Sequence, residues 1–256
     1  MFADPILLVG AGVVGPCVGS FLNVCILRLP HDQSLMRPPS TCPKCRQRIA
    51  WRDNLPVLSW LLLRGKCRWC RAPISAQYPL IEGAVGLLWA VSLAAYGPTV
   101  RALSAALLGT LLLGIAITDA RHYLIPDEFS WGGLALGLLL SLPGGVDGFL
   151  QAVLGACAGF ALLYGVAVGG QWLFGEEAMG GGDIKMMAMV GAFVGWKGVL
   201  LTVFAGALLG LAIFVPLTIR RKRLVPFGVF LAMGAALTFV FGDAIVTWYG
   251  HFLGGE

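Results

Sequence analysis

Two aspartates and four cysteines are the residues of this chain whose types and spacing could do chemistry. Asp183 closes the stretch Gly180-Gly181-Gly182-Asp183, and an apolar run begins directly after it at Ile184. Asp119 ends another apolar run, Leu103 to Thr118, and opens the segment Asp119-Ala-Arg-His-Tyr-Leu-Ile-Pro126-Asp127. A charge inside a bilayer costs about 2.5–3.5 kcal/mol on insertion scales, so an ionisable residue at that depth is a functional candidate by default. Two carboxylates sharing one proton suit peptide hydrolysis. The ionised one takes a proton from water while the protonated one polarises the scissile carbonyl. Glycines at 180–182 leave room for a substrate backbone beside Asp183, and the start of a helix favours a carboxylate. An interfacial N-cap is the plainer alternative, and it suffices for Asp119 taken alone. The glycine run and a shared depth lift the pair above it.

The cysteines form a second constellation. Cys42-Pro-Lys-Cys45 and Cys67-Arg-Trp-Cys70 are two CxxC knuckles separated by 21 residues. This spacing brings four thiolates to the corners of a tetrahedron, the geometry of one structural Zn²⁺. Disulfides are the rival, but they rarely persist in the reducing cytoplasm, where the charge pattern places this loop. A redox CxxC fits less well, because the pairs come as a set in a short loop. Cys17, Cys25 and Cys157 sit in apolar runs and read as small buried hydrophobes.

The elements that must hold these groups are membrane helices. Of 256 residues, 58% are hydrophobic and 12% charged, about half the charge of an ordinary soluble domain. Apolar runs near 5–27, 80–97, 101–118, 148–174, 198–219 and 226–249 are long enough to cross roughly 30 Å of hydrocarbon. Weaker runs lie near 129–143 and 184–196, the latter a candidate half-helix after the glycines. The expected fold is an all-α polytopic membrane protein of about eight transmembrane helices, with a small zinc-binding loop between the first and second. Residues 1–4 lack the basic start of a cleavable signal, so the first run reads as a retained anchor.

Charge sets the expected orientation. Ten basic residues lie between Arg28 and Arg71, and Arg220-Arg221-Lys222-Arg223 adds four. With eight crossings these clusters share one side with Arg121 and Lys185, while Arg101 and Lys197 fall on the other. The positive-inside rule then puts the loop and both aspartates in the cytoplasm and both termini outside. Insertion bias accounts for the basic patches, so no nucleic-acid partner is expected. Three segments follow: a first helix over 1–28, the cysteine loop over 29–79, and a membrane-embedded catalytic region over 80–256.

Along nearly its whole length the chain closely resembles the bifunctional type IV prepilin peptidases, which combine leader peptidase with N-methyltransferase activity. The resemblance rests on Gly19-Ser-Phe-Leu-Asn-Val24 with Arg28-Leu-Pro30, then Cys42-Pro-Lys-Cys45 and Asp53-Asn-Leu-Pro-Val-Leu-Ser-Trp60. Arg64-Gly-Lys-Cys-Arg-Trp-Cys70 and Tyr78-Pro-Leu-Ile-Glu82 follow. The later half matches at Asp119 through Asp127, at Glu177-Ala-Met-Gly-Gly-Gly-Asp-Ile-Lys185 and at Pro226-Phe-Gly228. The resemblance implies that Asp119 and Asp183 are the catalytic pair of an enzyme in the bacterial inner membrane. It implies cleavage of prepilin and pseudopilin precursors after a glycine, then methylation of the new amine from S-adenosylmethionine. Glu177, Asp127 and Glu128 are candidates to hold a basic leader, and Glu82 to hold leader or amine; interfacial pairing with Lys185 or Arg121 is the alternative. A presenilin-like protease would share the glycine-flanked aspartate but would not need the cysteine loop. A non-enzymatic zinc-loop scaffold would need neither aspartate.

Overall fold

The structure, a computed structural model, describes residues 5–175, 179–218 and 226–254. Among these residues it is helical, with no strand beyond two isolated bridges in the cysteine loop. The helices are α1 (Pro5–Arg28), α2 (Leu58–Leu62), α3 (Gln77–Tyr96), α4 (Val100–His122), α5 (Asp127–Ser141), α6 (Gly145–Phe174), α7 (Gly181–Thr218) and α8 (Phe227–Gly254). In lipid a segment must satisfy its own backbone polar groups, and the helix does so within itself.

Among the described residues, six helical stretches are long and apolar enough to cross a membrane. One of them, Asp127–Leu173, contains α5 and α6 with the 3-10 turn Leu142–Gly144 between them. Another contains α7, which breaks at Gly195, where φ is +69°. Counting these two breaks, the eight apolar runs of the sequence fall on eight helical segments, and short α2 lies in the cysteine loop. The basic run Arg220–Arg223 lies outside the described residues.

The chain divides into two compact units, Met1–Thr110 and Leu111–Glu256. In the first, α1 packs on α3 through small residues. A Cβ at Gly19 would stand 2.8 Å from the Glu82 Cα, so only glycine allows this approach. Asn23 donates from Nδ2 to the Tyr78 carbonyl at 3.2 Å, tying the end of α1 to the start of α3. Trp89 Nε1 donates to Thr110 Oγ1 at 3.1 Å and ties α3 to the middle of α4. Of the three isolated cysteines only Cys25 is buried; Cys17 and Cys157 are exposed. On membrane-spanning helices an outward thiol meets lipid instead of water, so the expected burial was not needed.

The second unit is built around the first half of α7. Met186, Met187, Met189 and Val190 are fully buried there, as are Leu231 and Ala235 on α8. Gly155 of α6 and Gly191 of α7 lie against each other's backbone carbonyls, leaving no space for a side chain. A segment buried all round shows no amphipathic stripe, which is why its sequence is uniformly apolar.

Candidate active site and metal centre

One end of the second unit gathers the C-terminal end of α4 and the N-terminal ends of α5, α7 and α8. Ile125, in the turn between α4 and α5, fixes this arrangement. It is buried, and a Cβ at Gly182 would lie 3.0 Å from its Cβ; one at Gly228 would lie 2.8 Å from its Cδ1. The turn itself is made by Tyr123, at φ +53°, whose amide donates back to the Asp119 carbonyl at 2.9 Å. Pro126 then starts α5, a position where its missing N–H costs nothing.

This packing brings the two aspartates together. Asp119 is buried, and Asp183 lies close enough for the two carboxylates to repel one another. Asp119 Oδ2 accepts a hydrogen bond from the Val229 amide at 3.1 Å, in the first turn of α8. Asp183 sits in the first turn of α7, its amide donating to the Gly180 carbonyl at 3.2 Å. Its Oδ1 is buried without a hydrogen-bond partner. A buried oxygen left unpaired is costly unless it is protonated or meets a ligand.

The three glycines turn out to differ. Gly181 has open space around it, and a Cβ at Gly180 would meet only Asp183 Oδ2, at an ordinary 3.5 Å. Gly182 instead packs on Ile125. The room read beside Asp183 is thus at 180 and 181, while the third glycine sets the approach of α7 to the turn.

Asp127 pairs with Lys185, whose Nζ donates to both carboxylate oxygens at 2.7 Å. The pair is half exposed, and such surface pairs contribute about 0–1 kcal/mol, so a basic ligand can compete for Asp127. Glu177 lies outside the described residues. Glu82 belongs to the first unit. It is buried on α3, and its Oε2 accepts the Val57 amide at 2.7 Å. Val57 is held at φ +60°, an uncommon conformation for a β-branched residue. Ser59 reinforces the same stretch, donating to the Arg52 carbonyl and accepting from the Leu55 amide, each at 3.0 Å. Glu82→Ala removes the acceptor of a partly buried amide, a loss of about 1–3 kcal/mol. Hydrogen exchange at Val57 should accelerate roughly tenfold or more, and unchanged exchange would show that Glu82 does not hold the loop.

The four cysteines converge in the same unit. Their Sγ atoms all lie within 4.8 Å of one another, with Cys42–Cys70 at 3.7 Å and Cys45–Cys67 at 4.0 Å. These separations are far beyond a disulfide bond. A tetrahedron with metal–sulfur bonds of about 2.3 Å has edges of about 3.8 Å, so the set fits a four-thiolate metal site. The knuckles are copies of one another. The Cys42 amide donates to the Gln47 carbonyl, and the Arg46 amide to that of Cys42; both bonds recur 25 positions on, from Cys67 to Ala72 and from Arg71 to Cys67. Arg46 and Arg71 take the same left-handed conformation, at φ +57° and +58°. The amides of Cys45 and Lys44 lower the Cys42 thiol while the neighbouring thiols raise that of Cys45, so the four sulfurs titrate as one cluster. Arg68, inside the second knuckle, donates from Nε to Asp53 Oδ2 at 2.8 Å and holds that carboxyl below its usual range.

Sequence reasoning singled out the aspartates and cysteines but gave no role to Ile125, Gly228 or Val229. The only signal for the last two was Pro226-Phe-Gly228, a helix-start proline followed by a residue without a side chain.

Bilayer-length helices, a carboxylate pair at one helix-bundle end and a loop whose four thiols could hold a metal ion are the layout expected of a membrane aspartic peptidase. Residues 13–96 match the bacterial peptidase A24 N-terminal domain, and residues 106–215 match the type IV leader peptidase family. Proteins named prepilin leader peptidase/N-methyltransferase match over most of the chain. The one from Aeromonas hydrophila is 36% identical, covering 91% of this chain and 90% of its own. That from Neisseria gonorrhoeae is 34% identical, covering 97% and 95%, and that from Myxococcus xanthus is 39% identical, covering 88% and 67%. No solved structure matches. The chain belongs to the type IV leader peptidase family.

Proposed function

We propose that this protein removes the basic leader from type IV prepilin and pseudopilin precursors and then methylates the new N-terminal amine. The convergence of Asp119 and Asp183 at one end of a membrane-spanning unit carries the peptidase reading. Such leaders are short and basic and remain in the cytoplasm, while the apolar stretch behind them enters the bilayer. A dyad at the cytoplasmic boundary of the inner membrane meets that junction, and the basic-residue bias puts it there, with both termini periplasmic. Gly180 and Gly181 leave the substrate backbone space beside Asp183. Asp127, exchanging Lys185 for a leader cation, and Glu177 bind the leader. Gly182 acts through its packing on Ile125, and Glu82 through the loop that it anchors.

The metal of the cysteine site is Zn²⁺, one per chain and structural, since four thiolates leave no open position for chemistry. The loop over 29–79 serves methylation, and residues 80–256, with the first helix over 1–28 as anchor, form the membrane body that holds the peptidase. The methyl donor is S-adenosylmethionine, bound by the loop and neighbouring helix ends. Its methyl group is electrophilic, and the protein's task is to present the newly freed amine in its neutral form.

One paired assay tests the reading. Purified protein is given a prepilin and labelled methyl donor, and leader removal and label transfer are followed on the same sample. Both are expected, with label only on the shortened product. Intact, folded protein that neither removes the leader nor transfers label would overturn the proposal, and cleavage without label would remove its second half.

A further inference from the structure

The geometry points to the first turn of α8 as a positioning element that fixes Asp119 as the ionised, water-activating member of the pair and leaves the shared proton on Asp183. This inference rests on the peptidase reading above. The two carboxylates have unlike surroundings. Asp119 accepts the Val229 amide at 3.1 Å. Amides donate and cannot accept, so they stabilise a carboxylate over a carboxylic acid, and the free N–H groups of a helix start add the favourable end of its dipole. Asp183 Oδ1, by contrast, is buried without a partner. With no donor to hold a negative charge on that oxygen, Asp183 is the better place for the shared proton.

Gly228 makes the arrangement possible. A Cβ there would stand 2.9 Å from Asp119 Oδ2 and 2.8 Å from Ile125 Cδ1. A side chain would push the carboxylate off its donor. The glycine is thus needed for close approach to the carboxylate.

The resulting steps balance. Asp119 takes a proton from water as the water oxygen adds to the scissile carbonyl carbon, and Asp183 gives its proton to the carbonyl oxygen, forming a neutral diol. Asp119 then passes its proton to the amide nitrogen as the carbon–nitrogen bond breaks. One diol hydroxyl returns its proton to Asp183, leaving a carboxyl on the leader and a free amine on the pilin. Both aspartates end as they began.

Three variants test this. Val229→Pro deletes the amide that serves Asp119; the same amide also donates to the Pro226 carbonyl at 3.3 Å, a first-turn bond whose loss thermal unfolding of the variant reads separately. Val229→Ala trims the side chain and keeps the amide. Gly228→Ala keeps every amide and crowds the carboxylate. Losing a hydrogen bond to a charged group should lower kcat for leader cleavage by about 10- to 100-fold. Val229→Pro and Gly228→Ala are expected to show this fall with KM nearly unchanged, while Val229→Ala stays within a few-fold of the natural protein. Kinetics are read on variants that elute as folded protein, and Gly228→Ala carries the test should Val229→Pro not fold. Unchanged kcat in either folded variant, an equal loss in Val229→Ala, or an effect confined to KM overturns the inference. Active Asp119→Asn or Asp183→Asn protein would instead overturn the peptidase reading itself.

Discussion

Asp183→Asn is expected to abolish leader cleavage while leaving the protein inserted and folded. Asparagine matches aspartate in size, so the start of α7 and its packing through Gly182 on Ile125 should survive. What is lost is a titratable proton beside Asp119. General acid–base groups contribute about 10²–10⁴-fold each, and a residue that also shares the proton of its partner stands at the upper end. Single-turnover cleavage of a prepilin in detergent or nanodiscs reads this directly, with thermal unfolding as the control for folding. Near-normal processing by a stably folded variant would remove Asp183 from the chemistry. Burial of its Oδ1 without a partner would then need another explanation.

Replacing Cys67 and Cys70 together with serine should cost the protein its metal and the order of the cysteine loop. The loop has little core of its own: Trp51, Leu58, Leu61, Leu62 and Trp69 are exposed. Apparent binding energies of structural zinc sites run at about 10–16 kcal/mol, more than such a segment gains from burial. Other ties include the Glu82–Val57 bond, the Ser59 bonds to Arg52 and Leu55, the Trp60–Ile74 bond, the Asp53–Arg68 pair and three donations from the Arg28 guanidinium to the carbonyls of Ser34, Leu35 and Pro38. Elemental analysis should fall from about one zinc per chain to near zero. Limited proteolysis should then cut between α1 and α3. Methylation is expected to suffer more than cleavage, because the aspartates belong to the other compact unit. Full metal occupancy in the double variant would rule out the site, and intact methylation without the loop would contradict its assigned role.

Much of the architecture is legible in the sequence because a bilayer leaves few choices. Apolar runs of the right length become helices, and the weakest of them, near 129–143 and 184–196, correspond to α5 and the first half of α7. The break at Gly195 falls where the run near 184–196 gives way to that near 198–219, at a residue that can adopt a positive φ. The cysteine knuckles were legible for another reason, since each CxxC sets its own turn locally and the two share a following arginine. The contact between Asp119 and Val229 was not legible. It joins residues 110 positions apart, and nothing in a uniformly apolar helix says which neighbour it meets. The same holds for Glu82, whose partner Val57 comes from an irregular loop. An acidic residue at a membrane boundary reads as a binding group; that it serves as an internal acceptor depends on the loop folding back onto α3.

Cleavage rates of Asp119→Asn, Asp183→Asn and the double variant test the central claim most directly. Groups that act as a unit lose nearly everything when either is removed, so their effects do not multiply. Each single variant should fall to the same residual rate as the double, with all three proteins inserted and equally stable. A single variant that cleaves prepilin at a rate close to the natural protein, or losses that multiply in the double, would contradict a shared-proton aspartate pair as the source of the activity.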